Sequence, residues 1–171
     1  MGTKPTDPAR GARPWVQAFI GLGANLGQAP IQLAWAADRI GEIPQLQVLA
    51  RSSLYRSQPL ECAPGDPEFF NAVLSVQTGL SAPDLLKALL DLEERAGRQR
   101  PYRNAPRLLD IDLLFYGEGR IDSPLLIVPH PRIWGRAFVL QPLAEVAPDR
   151  VSPQALSVVS GQRLERCATW P

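Results

Sequence analysis

Two aspartates one residue apart carry the sharpest chemical signal in the chain: Asp110-Ile111-Asp112, set inside the apolar run LLDIDLLFY from Leu108 to Tyr116. A strand repeats every two residues, so both carboxylates fall on one face and Ile111 on the other. Like charges about 5–7 Å apart on a half-buried surface repel each other unless a cation sits between them. A hard divalent ion removes that conflict, and Mg²⁺ in particular is held by one or two carboxylates together with substrate phosphate oxygens. The plainer reading is a pair of aspartates facing water, but the apolar run around them favours the metal. Just upstream, Arg98, Arg100, Arg103 and Arg107 occur within ten residues. Guanidinium groups are planar forks that match phosphate oxygens and keep their charge. One or two of the four can be accounted for as cations at the end of a helix, where the dipole favours them. The rest, feeding straight into the Asp110 strand, read as a polyphosphate clamp.

Three further residues have chemically useful types. His130, the single histidine, stands between prolines in Val128-Pro129-His130-Pro131-Arg132. Held rigidly, it could serve as a phosphate donor or in proton transfer, although a lone histidine there is more often a turn residue. Phe69 and Asn71 lie two apart at the start of FFNAVLSVQT and so share a strand face. A ring plus a carboxamide can stack on and hydrogen-bond a flat, nitrogen-rich heterocycle. Core packing explains Phe69 equally well, whereas Asn71 must find partners if buried.

The elements that position these residues can be read from period and punctuation. Trp15–Gly21 reads as a strand, broken by the glycines of GLGANLG, and a helix follows from Pro30 to a stop at Gly41. Leu46–Tyr55 and Phe69–Thr78 read as strands, separated by SQPLECAPGDP (57–67), whose three prolines predict a loop. Ser81 caps an amphipathic helix carrying Leu85, Leu86, Leu89, Leu90, Leu92 and Glu93 up to Gly97. Leu108–Tyr116, almost continuously apolar, reads as a buried central strand. Strand, helix, strand, strand, helix, strand is the α+β order of a ferredoxin-like sandwich, an antiparallel sheet with helices on one face. Residues beyond Gly117 add a hairpin or helix. The division expected is a disordered leader at 1–14, a catalytic domain at 15–150 and a tail at 151–171 without assigned role.

Composition excludes several classes. With 171 residues, 45% of them hydrophobic, one domain can bury its own core. Lysine and arginine number 18 against 17 acids, which leaves no global field for nucleic acid or membrane surface. Cys62 and Cys167 have no metal-ligand spacing and read as free thiols in a reducing compartment. The leader has no apolar run and no stretch approaches a membrane span. A cytoplasmic monomer is the expectation.

Taken together, FIGLGANLG, SSLYRSQPL, FFNAVL, the LEE-x-x-GR-x-R run from Leu92 to Arg100, PRLLDIDLLFYG, VPHPR and GRAFVLQPLAEVAPD resemble one family, 6-hydroxymethyl-7,8-dihydropterin pyrophosphokinase of the folate pathway. The matching segments are collinear from about Ala18 to Asp149. The resemblance implies pyrophosphoryl transfer from ATP to 6-hydroxymethyl-7,8-dihydropterin with release of AMP. It implies that Asp110 and Asp112 hold two magnesium ions, and that Arg98 and Arg107 close over the phosphates with Arg100 in support. Glu93, His130 and Arg136 match positions at the nucleotide, and Ser57, Leu60, Phe69, Asn71 and Phe138 match the pterin pocket. Two departures stand out. Arg103-Asn104-Ala105-Pro106-Arg107 lacks the tryptophan and glycine common before the Pro-Arg, and Pro131 replaces a frequent aromatic. Two rival functions fit parts of the pattern: a nucleotidyltransferase built on the same paired aspartates, and a single-stranded RNA reader on a ferredoxin-like sheet. The near-neutral charge and missing aromatic signature count against the second.

Overall fold

The computed structural model describes residues 13–57, 67–97, 108–167 and 170–171. In chain order the elements are β1 (Val16–Ala24), α1 (Ala29–Gly41), β2 (Leu46–Arg51), β3 (Leu54–Ser57), β4 (Phe69–Thr78), α2 (Ala82–Arg95), β5 (Asp110–Tyr116), β6 (Ile121–Asp122), β7 (Ile127–Val128), α3 (Ala137–Val146), α4 (Pro153–Val158) and β8 (Leu164–Cys167). The main sheet runs β5-β1-β4-β3-β8 with β2 also paired to β4, and every pair is antiparallel. Counting β2 and β3 as halves of one strand and leaving β8 aside, this is the split-βαβ order that the sequence predicts.

Strand alternation sorts the core into two layers. Ala18, Ile20 and Leu22 of β1, Leu74 and Val76 of β4, and Ile111 and Leu113 of β5 meet Leu33, Ala36, Ala37 and Ile40 of α1 and Leu85, Leu89 and Leu92 of α2. Ser81 caps α2 by accepting the Asp84 N–H, and Pro30 sits in the first turn of α1. On the opposite face, Phe19, Val73, Leu114 and Phe115 meet Leu140 and Leu143 of α3, with Val151 and Val159 beyond. The C-terminal additions thus cover part of the face that the first two helices leave bare. Arg150 lies 5.1 Å from the ring centres of both Phe19 and Phe115, which anchors this layer to the sheet.

Two local departures have clear causes. The first strand does not break at the glycines but continues to Ala24, because β4 and β5 flank it on both sides and their ladders outweigh glycine's weak strand preference. The expected single strand at 46–55 is split at Ser52 and Ser53. There the Ser52 hydroxyl, rather than its carbonyl, accepts the Val73 N–H at 2.9 Å, and the Ser52 carbonyl accepts from Trp170 Nε1 at 2.8 Å. Among the described residues, no helix is long and apolar enough to cross a membrane.

β8 extends the sheet by pairing with β3, and Glu145 of α3 clips the join. Its carboxylate accepts from the Ser53 N–H (2.7 Å), the Tyr55 hydroxyl and Arg166 Nε (2.8 Å). Burial pushes the Glu145 carboxyl up, but the hydrogen bonds from Ser53 and Tyr55 and the Arg166 charge outweigh it and hold the group below its ordinary value of 4.5. The Tyr55 hydroxyl is driven up, by burial first and then by this bond. A carboxyl lowered on folding stabilises above its unfolded value, and that contribution is lost as pH falls through the folded one. The thermal unfolding midpoint is therefore expected to fall as pH drops below about 4.5. Glu145→Gln should flatten that slope, and an unaltered slope in the variant refutes the assignment.

Candidate active site

β5 is the terminal strand on its side of the sheet, and its register fixes the acidic pair. Asp110 lies opposite Gly23 and Asp112 opposite Gly21, while Ile111, opposite Leu22, belongs to the helix-covered layer. Both carboxylates therefore share a face with two residues that have no side chain. On the side of β5 without a strand partner, Glu93 of α2 accepts the Ile111 N–H at 2.6 Å and is only 2% exposed. A buried acid thus takes the place of a ladder carbonyl at the peptide between the two aspartates.

His130 approaches the same pair from the segment after β7. Its backbone N–H donates to the Leu114 carbonyl at 2.9 Å, and its Nδ1 accepts the Arg132 N–H at 3.2 Å. With Nδ1 so engaged, the neutral ring carries its proton on Nε2, which lies 3.9 Å from Asp112 Oδ1. Burial lowers the imidazole below its ordinary value; Asp112 opposes this and Arg136 and Arg132 reinforce it. A cavity of about 300 Å³ opens here, lined by the apolar side chains Leu86, Leu90, Leu125 and Ile127 and by the polar Glu93, Asp110, Asp112 and His130. Apolar side chains and carboxylates lining one cavity suit a ligand that joins a flat base to metal-bound phosphates.

The second half of the site lies across β1. Asn71 of β4 is opposite Gly23 and shares its face. Its Nδ2 donates to Ser57 Oγ of β3 at 3.1 Å, and both side chains are 6% exposed. That bond leaves the carboxamide oxygen directed over Gly23, where a methyl added to the glycine would lie 3.2 Å from it. Phe69, two residues earlier, lies on the same face of β4. α3 packs on β4 from that side, with Phe138 in its first turn and the Arg136 guanidinium 5.4 Å above the Phe138 ring. Pro142 has no N–H to offer the Phe138 carbonyl four residues earlier, a break built into the first turn.

The sequence pattern described as 7,8-dihydro-6-hydroxymethylpterin-pyrophosphokinase matches residues 19–148. The chain belongs to that family. A 2-amino-4-hydroxy-6-hydroxymethyldihydropteridine pyrophosphokinase of Pseudomonas aeruginosa is 40% identical over 157 residues, covering 88% of this chain and 96% of its own length. The Synechocystis protein of the same description is 36% identical, covering 90% of this chain and 79% of its own. The folic acid synthesis protein of Pneumocystis carinii is 40% identical over 83% of this chain, which spans 19% of that longer protein. Among solved structures, an HPPK-DHPS in complex with substrates shares the fold with a TM-score of 0.63 at 14% identity over 86% of this chain. This chain covers 43% of that one. The protein is accordingly a pyrophosphokinase acting on hydroxymethyldihydropterin in folate synthesis.

Within this pyrophosphokinase, Asp110, Asp112, Glu93 and His130 converge on one cavity. Ser57, Phe69 and Asn71 gather on β3 and β4, and Arg136 and Phe138 stand together at the start of α3. Leu60, Arg98, Arg100 and Arg107, with the altered segment 103–106, lie outside the described residues. Sequence reasoning missed the apolar lining of this cavity. Its trace was present in Leu86 and Leu90, four apart on α2 and flanking the buried stripe of Leu85, Leu89 and Leu92, with Leu90 left 37% exposed.

Proposed function

We propose that Asp110 and Asp112 hold magnesium against the phosphates of ATP while the hydroxymethyl oxygen of 6-hydroxymethyl-7,8-dihydropterin attacks the β-phosphorus and AMP leaves. The observation that carries this is the shared face of the two aspartates, which line a cavity, with Asn71 across Gly23 on the same face. The donor set fits Mg²⁺. Two carboxylates on one strand face leave the other positions of an octahedral ion to water and phosphate oxygens, as Mg²⁺ prefers. When bound, the metal neutralises phosphate charge and lines up the attacking and leaving oxygens.

The chain's own residues divide the remaining work. His130 presents an Nε2–H donor toward phosphate oxygens, its tautomer held by the Arg132 N–H. Glu93 holds the peptide between the two aspartates. Asn71 reads the heterocycle's edge, and Phe69 and Phe138 flank the ring from β4 and α3. Arg98, Arg107 and Arg100 supply the closing cations, with Arg136 at the nucleotide. The protein acts as a monomer in this reading, and an ATP-consuming step of folate synthesis suits the cytoplasm.

The test is to combine the protein with ATP, Mg²⁺ and hydroxymethyl-dihydropterin. AMP is expected in step with the pterin diphosphate, and omission of Mg²⁺ should abolish it. Pyrophosphate in place of AMP would instead identify a nucleotidyltransferase, and no ATP consumption with the pterin present overturns the reading.

A further inference from the structure

We propose that Glu145 is a positioning residue: from outside the pterin pocket it pins the register of β3 against β4, and so keeps Ser57 bonded to Asn71. This rests on the pterin reading above and adds to it a group that acts through the strand rather than on the ring.

β3 needs a pin because the chain carries one residue too many where the strand begins. Ser52 still faces Val73: its N–H donates to the Val73 carbonyl at 2.9 Å, and its hydroxyl accepts the Val73 N–H at 2.9 Å. Three residues on, Tyr55 faces Asn71, which is only two positions from Val73. Ser53 and Leu54 therefore stand against Ala72 alone, the two-against-one count of a bulge. A bulge leaves an N–H outside the ladder, and the strand beyond it is free to settle in another register. Past this point only Tyr55, Arg56 and Ser57 pair with β4, a short ladder to resist such a step. One residue of slip turns Ser57 to the other face of the sheet and breaks the 3.1 Å bond it accepts from Asn71 Nδ2.

Glu145 meets each loose point. Its Oε2 accepts the N–H of Ser53, in the bulge, at 2.7 Å. Its Oε1 accepts from the hydroxyl of Tyr55, the first residue back in register, and from Arg166 Nε at 2.8 Å. Arg166 lies opposite Tyr55 on β8, so the two share a face, and its Nε also reaches Ser53 Oγ at 3.0 Å. One carboxylate thus spans the bulge and ties it to both α3 and β8. Tyr55 and Ser57 are two apart and face the same way, so a slip that turned Ser57 from Asn71 would also pull Tyr55 from Glu145. The bonds to Glu145 therefore favour only the register in which Ser57 holds the Asn71 carboxamide. Glu145 lies seven residues beyond Phe138 on α3, about 10 Å along the helix axis, which keeps it clear of the ring that Phe138 flanks.

Glu145→Ala is the direct test. The measurements are the dihydropterin Kd beside Mg²⁺ and a non-hydrolysable ATP analogue, the Kd of the analogue alone, and kcat at saturating pterin, all well below the unfolding midpoint. The pterin Kd is expected to rise about ten- to thirtyfold, while the analogue Kd and kcat stay within about threefold of the unaltered protein. Glu145→Gln keeps an oxygen acceptor and should recover part of the loss. Tyr55→Phe removes a single bond and keeps the ring, so it carries the test even if Glu145→Ala does not fold; its pterin Kd should rise about three- to fivefold. Val159→Ala loosens the same core layer without touching the clip, and should lower the midpoint with no change in pterin Kd. Unchanged pterin affinity in Tyr55→Phe or in folded Glu145→Ala overturns the proposal. So does an equal loss for both ligands, or a matching loss in Val159→Ala. If the unaltered protein forms AMP while the clip variants bind pterin normally, only the positioning role is wrong; if it forms none, the pterin reading itself fails.

Discussion

Asp110→Ala and Asp112→Ala should each lower AMP formation by at least about a thousandfold, with little change in the thermal midpoint. The reaction brings a polyanion and an oxygen nucleophile together, so charge neutralisation and alignment account for most of the barrier reduction. Either aspartate alone leaves an incomplete set of metal oxygens, and no other described side chains form a cluster that could replace it. The fold should tolerate the loss because both side chains stand on the partly open face of a terminal strand, with Asp112 39% exposed. Ile111, which carries the packing of this segment, points the other way. Asn substitutions separate charge from shape: they keep the size and one oxygen, yet should still lose most of the activity because Mg²⁺ depends on carboxylate charge. The checks are AMP release, Mg²⁺ dependence and circular dichroism. A well-folded variant at either position with activity within about tenfold of the unaltered protein would remove the metal assignment.

These aspartates were legible in the sequence because their shared face needs only a period of two and an apolar run long enough to be a strand. The sandwich was legible for a related reason: α1, α2, β4 and β5 each bury one stripe or face, and burial writes itself into local pattern. What stayed hidden depends on partners distant in the chain. Ser52 and Ser53 look like ordinary strand residues until Val73, Glu145 and Trp170 supply the bonds that break the strand. Gly21 and Gly23 read locally as breakers, and only pairing with both neighbours keeps them extended. The same register places Asn71 in line with Asp110, which no spacing between positions 71 and 110 could announce. The tail beyond position 150 carried no motif, yet Val151 and Val159 enter the second core layer and β8 extends the sheet. Short apolar contacts of that kind leave no periodic trace.

Glu93 gives the second large effect, and there the kinetic signature distinguishes support from contact. Its carboxylate is buried and bonds the N–H of Ile111, the residue between the two aspartates, so its removal leaves that N–H to find another partner at the unpaired side of β5. Glu93→Ala should cost about 2–4 kcal/mol of stability, from a lost charged hydrogen bond, an exposed buried donor and an unfilled space. Turnover should fall about ten- to a hundredfold, since a small displacement of Asp110 and Asp112 misaligns the phosphates. ATP affinity should fall much less, because the apolar side chains of the cavity and the cationic groups proposed to meet the nucleotide are untouched. Glu93→Gln keeps an oxygen acceptor for the Ile111 N–H and should recover most of the stability and part of the rate. The measurements are the kcat and ATP Kd of both variants together with their unfolding midpoints. A Kd for ATP that rises as steeply as kcat falls, with no rescue by glutamine, would make Glu93 a direct nucleotide contact rather than the brace of the metal-binding strand.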